Sequence, residues 1–294
     1  MTELGRIGLW TFALDRQPWS RAREAAAELE EMGWAAIWVP EATNRNVFVN
    51  ATLLLGATRS ITVATGIAPI HNRDAMATAN AQRTLDEAFP GRFLLGLGVS
   101  HQWLVEEVRG GTYTKPLSSM EAYLDAMRAA PFTACAPTVP GRTVLAALGP
   151  KMLALAGRLA DGAHPYLTAP EHTAGARAIL GPDKILAPDQ KVFVGTDAGE
   201  ARRVARMHLA GYLTQPNYRN SFLRQGFAEE DLDAGGSDRL IDAIVAWGSL
   251  DDVARRVRAH LDAGASHVAV QLLPRDMDEL PMSGYRDLAA ALIG

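Results

Sequence analysis

"RFLLGLGVSH", residues 92–101, decides the fold. After Arg92 the run is apolar, glycines alternate with Leu97 and Val99, and it stops at Ser100 and His101. A run with no polar face reads as a strand covered on both sides, the mark of a parallel sheet sandwiched by helices. Its ending carries the functional question, because packing gives such a strand no reason to finish on a serine and an ionisable imidazole.

The pattern recurs along the chain. Residues 6–12, 35–41, 61–70, 142–149, 162–167, 191–195 and 267–273 are further short apolar runs, giving eight strands with 92–100. Helical spacing fills the gaps. In 19–33, Ala22, Ala25, Ala26, Leu29 and Met32 repeat at three and four, and Gly33 ends the helix. Helices are likewise expected over 48–60, 75–89, 151–161, 170–180, 199–211 and 249–264, the last opening on Ser249 as N-cap with Asp252 at its third position. Eight such units fit an α/β (β/α)8 TIM barrel, which commonly forms one unit of about 250 residues, so a single domain over 1–294 is expected. A Rossmann fold would need a Gly-x-Gly-x-x-Gly turn after strand one, where "WTFALDRQP" stands instead. Residues 212–248 interrupt the repeat and read as an insertion before the last helix and strand, lying over one end of the barrel as a lid or a partner surface.

Bulk composition narrows the function. With 29 Lys and Arg against 33 Asp and Glu the net charge is −4, which gives no basic excess for nucleic acid or an anionic membrane. Cys135 is the single cysteine, so an internal disulfide and a cysteine-based zinc site are ruled out. "MTELGRIGLW" has no basic region followed by an apolar core, so no signal peptide is expected, nor a membrane span, and a soluble cytoplasmic protein is the expectation.

In barrel enzymes chemistry sits at the C-terminal strand ends. Those ends supply Trp10, Thr11 and Phe12; Glu41; His71, Asn72 and Arg73; Ser100 and His101; Gly149 and Pro150; His164, Tyr166 and Thr168; and Gln271 and Arg275. Several polar ends meeting on one rim favour a functional His101, although a lone histidine also serves to cap the next helix or to pack on Trp103. Gly66, Gly98 and Gly149 lie at three strand ends, either to let a flat ligand rest on bare backbone or to make tight turns. "LGPKM" opens a helix whose free amides suit a phosphate, with Pro150 at the first helical position.

"ITVATGIAPIHNRDAMATANAQRTLDEAFPGRFLLGLGVSH" (61–101) resembles strands three and four of the luciferase-like monooxygenase superfamily, and most of all its branch that uses the deazaflavin coenzyme F420. "LAALGPKMLALAGRLADGAHPYL" (145–167) matches the strand-five to strand-six segment, and "GRIGLWTF" and "EEMGWAAIWVPEA" fit the first two strands. The resemblance covers nearly the whole chain and is weakest over 106–141 and 212–248.

This resemblance implies a tricyclic ring in the barrel mouth, with a cis Gly66–Ile67 peptide behind it. Ile67 and Ala68 would back the ring, Gly98, Val99 and Ser100 would border it, and Gly149 with Pro150 would seat the phosphate-bearing tail. Tyr166 belongs to the same cofactor-binding set. His101 takes the place where relatives carry an acid/base group, some of them glutamate. Glu41 stands where they carry an acid or histidine, to orient His101 or a substrate hydroxyl. The reaction implied is hydride transfer between coenzyme F420 and a small organic substrate, with one proton handled by an imidazole. An FMN-dependent monooxygenase on the same barrel is the first alternative, and a non-catalytic ligand-binding barrel another. A metal hydrolase using His71, His101 and His164 is disfavoured because strand one lacks a His-x-His pair. The basic runs at 202–208 and 254–260 read as solvated helix faces, and His208, His260 and His267 as structural. Relatives commonly pair through barrel helices, so a homodimer is expected.

Overall fold

The structure, a computed structural model, describes residues 4–294. Residues 1–3, the start of the segment read as lacking a signal peptide, lie outside the described residues. Strands and helices alternate through the first half: β1 (Ile7–Trp10), α1 (Trp19–Glu31), β2 (Ala36–Val39), α2 (Val47–Ala57), β3 (Thr62–Thr65), β4 (Ala68–Pro69), α3 (Ala75–Ala88), β5 (Phe93–Gly98), α4 (Pro116–Ala129), β6 (Arg142–Leu145) and α5 (Pro150–Leu159). The second half continues with β7 (Gly162–Ala163), α6 (Pro170–Leu180), β8 (Ile185–Leu186), β9 (Asp189–Val194), α7 (Ala198–Leu213), α8 (Pro216–Arg224), α9 (Asp238–Ile244), β10 (Val245–Gly248), α10 (Leu250–Asp262), β11 (Val268–Leu272) and α11 (Met282–Leu292).

Local chemistry sets these bounds. Helix α1 buries Ala22, Ala25, Ala26 and Leu29, the expected stripe, and Gly33 takes φ +88° just beyond it. Asn46 caps α2 by accepting from Phe48 N and Val49 N. Ser249 and Asp252 form a reciprocal capping box on α10.

All strand pairings within the named elements are parallel, in the order β10-β9-β11-β1-β2-β3-β5-β6-β7-β8, with β4 on β5. Only Ala187 and Pro188 separate β8 from β9, and Ala269 N of β11 donates to Pro188 O at 2.9 Å. The sheet is therefore curled: β8, at one end of the order, runs on into β9, which lies next to the other end. Trp10, Trp38, Ala64, Leu94, Val144, Ala187 and Ala269 pack against one another inside the curl. The alternate residues Leu9, Ile37, Val63, Phe93 and Leu95 join Leu29, Leu54 and Leu85 of the helices in the larger outer core.

Three differences from expectation bear on the site. The strand expected at 61–70 is broken into β3 and β4, with the cis Gly66–Ile67 peptide that the resemblance implied standing at the break. Strand β5 stops at Gly98, so Ser100 (φ +64°) and His101 belong to the turn after it. The segment 212–248 is not simply an insertion. It holds the end of α7, then α8 and α9, and it returns to the sheet as β10 beside β9.

Candidate active site

At the C-terminal edge of the sheet one cavity of ≈ 710 Å³ opens, within the range of roughly 300–1,000 Å³ usual for small-molecule sites. Its floor and walls come from successive strand ends: Trp10 ending β1, Glu41 after β2, Gly66 and Ile67 between β3 and β4, Gly98 ending β5 with Val99 to His101 beyond it, Ala146 to Gly149 after β6, and His164 and Tyr166 after β7. Helices α7 and α8 close the far side with Tyr212, Tyr218 and Arg224. Side chains separated by up to some two hundred positions meet because each strand delivers its tip to the same edge.

Nine of the eleven residues expected at the site line this cavity: Glu41, Gly66, Ile67, Gly98, Val99, Ser100, His101, Gly149 and Tyr166. Ala68 does not; it is fully buried in the outer core, because the alternation of β4 turns it away. Pro150 does not either, being the exposed first residue of α5, while Gly149 before it faces the cavity.

Bare backbone against a ring accounts for little of the glycine pattern. A Cβ on Gly66 would run into the Trp10 indole nitrogen, and one on Gly98 would lie 2.5 Å from Ile67 Cδ1. These glycines are needed so that neighbouring protein side chains fit. Gly149 is the open one: its nearest foreign atom would be Arg224 Nη2 at 3.6 Å. Thr65 ties the broken strand to β5, its hydroxyl donating to Gly96 O and accepting from Gly96 N, both at 2.7 Å.

Of the polar side-chain atoms buried without hydrogen-bond partners, Trp10 Nε1, Glu41 Oε2, His101 Nδ1 and His164 Nε2 belong to cavity residues, while others, such as Trp34 Nε1 and the Asn72 amide, lie away from it. Buried polar groups are ordinarily satisfied, so their grouping around one hollow marks a place fitted to a polar ligand or ordered water. Glu41 Oε1 accepts from Arg73 Nη2, and its Oε1 also takes the Val47 amide at 3.3 Å. Glu41 is thus held by Arg73, and His101 has aromatic neighbours instead: Tyr218 at 5.7 Å and Tyr212 at 6.4 Å between ring centroids. Burial lowers the His101 pKa, so the imidazole is neutral at pH 7. The His101 backbone carbonyl accepts from Leu104 N and Val105 N, but its side chain caps nothing. Among the described residues no group of three or more His, Cys, Asp or Glu is placed to hold a metal ion.

A second layer was invisible to strand-end reasoning. Lys191 is 1% exposed inside the curl and donates to Asp189 Oδ2 at 3.1 Å and Gln271 Oε1 at 2.6 Å. Tyr166 OH donates to the same Gln271 oxygen at 2.9 Å and meets Tyr212 OH at 3.3 Å. Three polar residues, Asp189, Gln190 and Lys191, opening a buried strand were the available signal. Tyr212, Tyr218 and Arg224 lay in a segment with no strand end to flag them.

A curled parallel sheet with one aromatic-walled hollow at its C-terminal edge defines a ligand-binding α/β protein of barrel type. The chain belongs to the luciferase-like monooxygenase family, whose profile matches residues 5–267. It is 27% identical over 284 residues to the 5,10-methylenetetrahydromethanopterin reductase of Methanolobus tindarius, covering 81% of this chain and 86% of that one. Among solved structures it resembles an F420-dependent secondary alcohol dehydrogenase in complex with an F420-acetone adduct (TM-score 0.75, 17% identity, 98% of both chains). It also resembles the FMN-bound oxygenating constituent of 3,6-diketocamphane monooxygenase from Pseudomonas putida (TM-score 0.69, 16% identity, 97% of this chain and 95% of that one).

Proposed function

We propose that the protein is a coenzyme F420-dependent oxidoreductase that moves a hydride between the deazaflavin and a small organic substrate in this cavity. The observation that carries the reading is the convergence of His101, Glu41, Ile67, Val99 and Gly149 on one hollow, in a chain 27% identical to an archaeal reductase over most of its length. The orphaned polar atoms and the open Gly149 fit a planar ring with an anionic tail. When bound, the deazaflavin supplies the hydride carrier. The chain's own groups do the rest. Trp10, Ile67 and Tyr166 exclude water from the reacting face, and neutral His101 takes or returns the substrate proton at a ring nitrogen. Glu41, fixed by Arg73, offers Oε2 to a substrate hydroxyl. Gly149 and the first turn of α5, with Arg224 opposite, receive the phosphate of the tail.

The curled sheet is read as a closed (β/α)8 barrel forming one domain, since β8 and β9 run on as one stretch that pairs with β7 at one end and β11 at the other. No helix among the described residues is long and apolar enough to cross a membrane, in keeping with a cytoplasmic enzyme, and pairing as a homodimer follows the family habit. The second reading, an FMN monooxygenase, is favoured by the likeness to the FMN-bound neighbour and by the monooxygenase description of the family. Titrating the purified chain with coenzyme F420 and with FMN, followed by absorbance and fluorescence, separates them. Saturable binding of F420 at least tenfold tighter than FMN is expected; the reverse order would replace this reading with the second.

A further inference from the structure

The buried cation under the cavity fixes the sense of the hydrogen bonds above it. Lys191 Nζ has three protons and three acceptors: Asp189 Oδ2, Gln271 Oε1, and the face of the Tyr166 ring, 3.7 Å from its centroid. Burial brings its pKa only to about 8, so it stays charged at neutral pH. The Gln271 carbonyl oxygen therefore faces Lys191, because the alternative would set an NH2 group against an ammonium. Tyr166 OH, 2.9 Å from that same oxygen, has to donate its single proton to it. At the 3.3 Å contact between the phenols Tyr212 is then the donor and Tyr166 the acceptor. Both phenol protons are spent inside the protein, and lone pairs are what these cavity-lining groups have left for a ligand.

We propose that the Lys191–Gln271 pair makes the Tyr166–Tyr212 wall a hydrogen-bond acceptor, so that the substrate group seated against it is a donor, an alcohol hydroxyl or N–H rather than a bare carbonyl. This rests on the reading of the cavity as the reaction site and specifies its substrate class. Gln271 and Lys191 act through Tyr166 and are positioning residues. The His101 ring lies 6.4 Å from that of Tyr212, so the acceptor wall and the imidazole border the same part of the cavity.

The test uses cyclohexanol and cyclohexanone, a matched hydroxyl and carbonyl pair, titrated by ligand-observed NMR against the full chain with and without coenzyme F420. One net hydrogen bond predicts alcohol binding about fivefold tighter than ketone. Tyr166→Phe should bring the ratio to about one. Gln271→Met frees the Tyr166 proton to point into the cavity and should reverse the preference. A ketone preference in the native chain, a ratio unchanged by Tyr166→Phe, or no binding of either compound overturns the proposal. Tyr166→Phe alone decides the matter if Gln271→Met does not fold. Because the ratio is read on the chain without cofactor as well, failure of F420 to bind is a separate result that counts against the cofactor assignment only.

Discussion

An imidazole buried against Tyr212 and Tyr218 sheds its proton more readily than one in water, and that sets what His101 does as pH changes. Its folded pKa lies below 6.5, so the neutral, proton-accepting form persists as pH falls to that value and disappears only below it. Oxidation of a donor substrate should therefore hold its rate from pH 8 down past 6.5 and fall on the acid side. His101→Gln keeps much of the volume and loses the titration. Turnover should drop by roughly 100-fold or more, the usual worth of a general base, while F420 affinity measured by fluorescence changes less than about threefold. A variant that keeps the native rate would remove His101 from the proton path. His101 was legible because an ionisable group after a fully apolar strand needs a reason. The strand ends supplied Glu41 and Arg73 separately, but not the ion pair by which Arg73 holds Glu41.

At the scale of elements, a ligand's tail would meet the junction of α5 and α8. Helix α5 begins at Gly149 with no side-chain cap, Pro150 brings no N–H, and the next amides of its first turn lack partners within the helix. Arg224 at the end of α8 stands beside the space Gly149 leaves open. Arg224→Gln should weaken binding of F420 about tenfold and leave a phosphate-free deazaflavin within about twofold, as expected for one charge-assisted contact to the phosphate. Equal loss for both ligands would make Arg224 a packing residue. Here too the limits of legibility have physical causes. Uniformly apolar strands such as β5 and amphipathic helices such as α1 announce themselves by period. Helix α4, which buries only Met120, Leu124 and Met127, has too narrow an apolar stripe to stand out by period. The four residues of β10 follow α9 without a loop, and so a sheet strand was hidden inside what read as an insertion.

The whole molecule is expected to be acid-labile for a reason spread over its core. His164, His260 and His267 are each 1% exposed or less. Each is fixed in the core by hydrogen bonds: His164 donates from Nδ1 to Ala187 O at 2.6 Å, His267 accepts from Trp38 Nε1 at 3.0 Å, and His260 lies between Thr173 Oγ1 and Gln190 Oε1. Burial is the main cause that pushes them down, to about 4, about 3 and about 4. In the unfolded chain all three titrate near 6.5, so below that pH the unfolded state binds more protons and stability falls as pH drops from 6.5 toward 4. Each unit of difference is worth about 1.4 kcal/mol, so three histidines together reach the order of a typical domain's whole stability, about 5–15 kcal/mol. Asp86, raised by burial to about 7, works in the opposite direction, as do Asp15 and Asp189, while burial also lowers His71, His101, His172 and His208 and adds to the acid loss. Thermal unfolding followed from pH 7.5 to 4.5 should show Tm nearly level above 6.5 and falling steeply below 6. His260→Gln, which cannot take up a proton, should shallow that fall by about one third whatever it does to Tm at neutral pH. A slope identical to that of the native chain would assign the acid loss to surface carboxylates and not to the buried histidines.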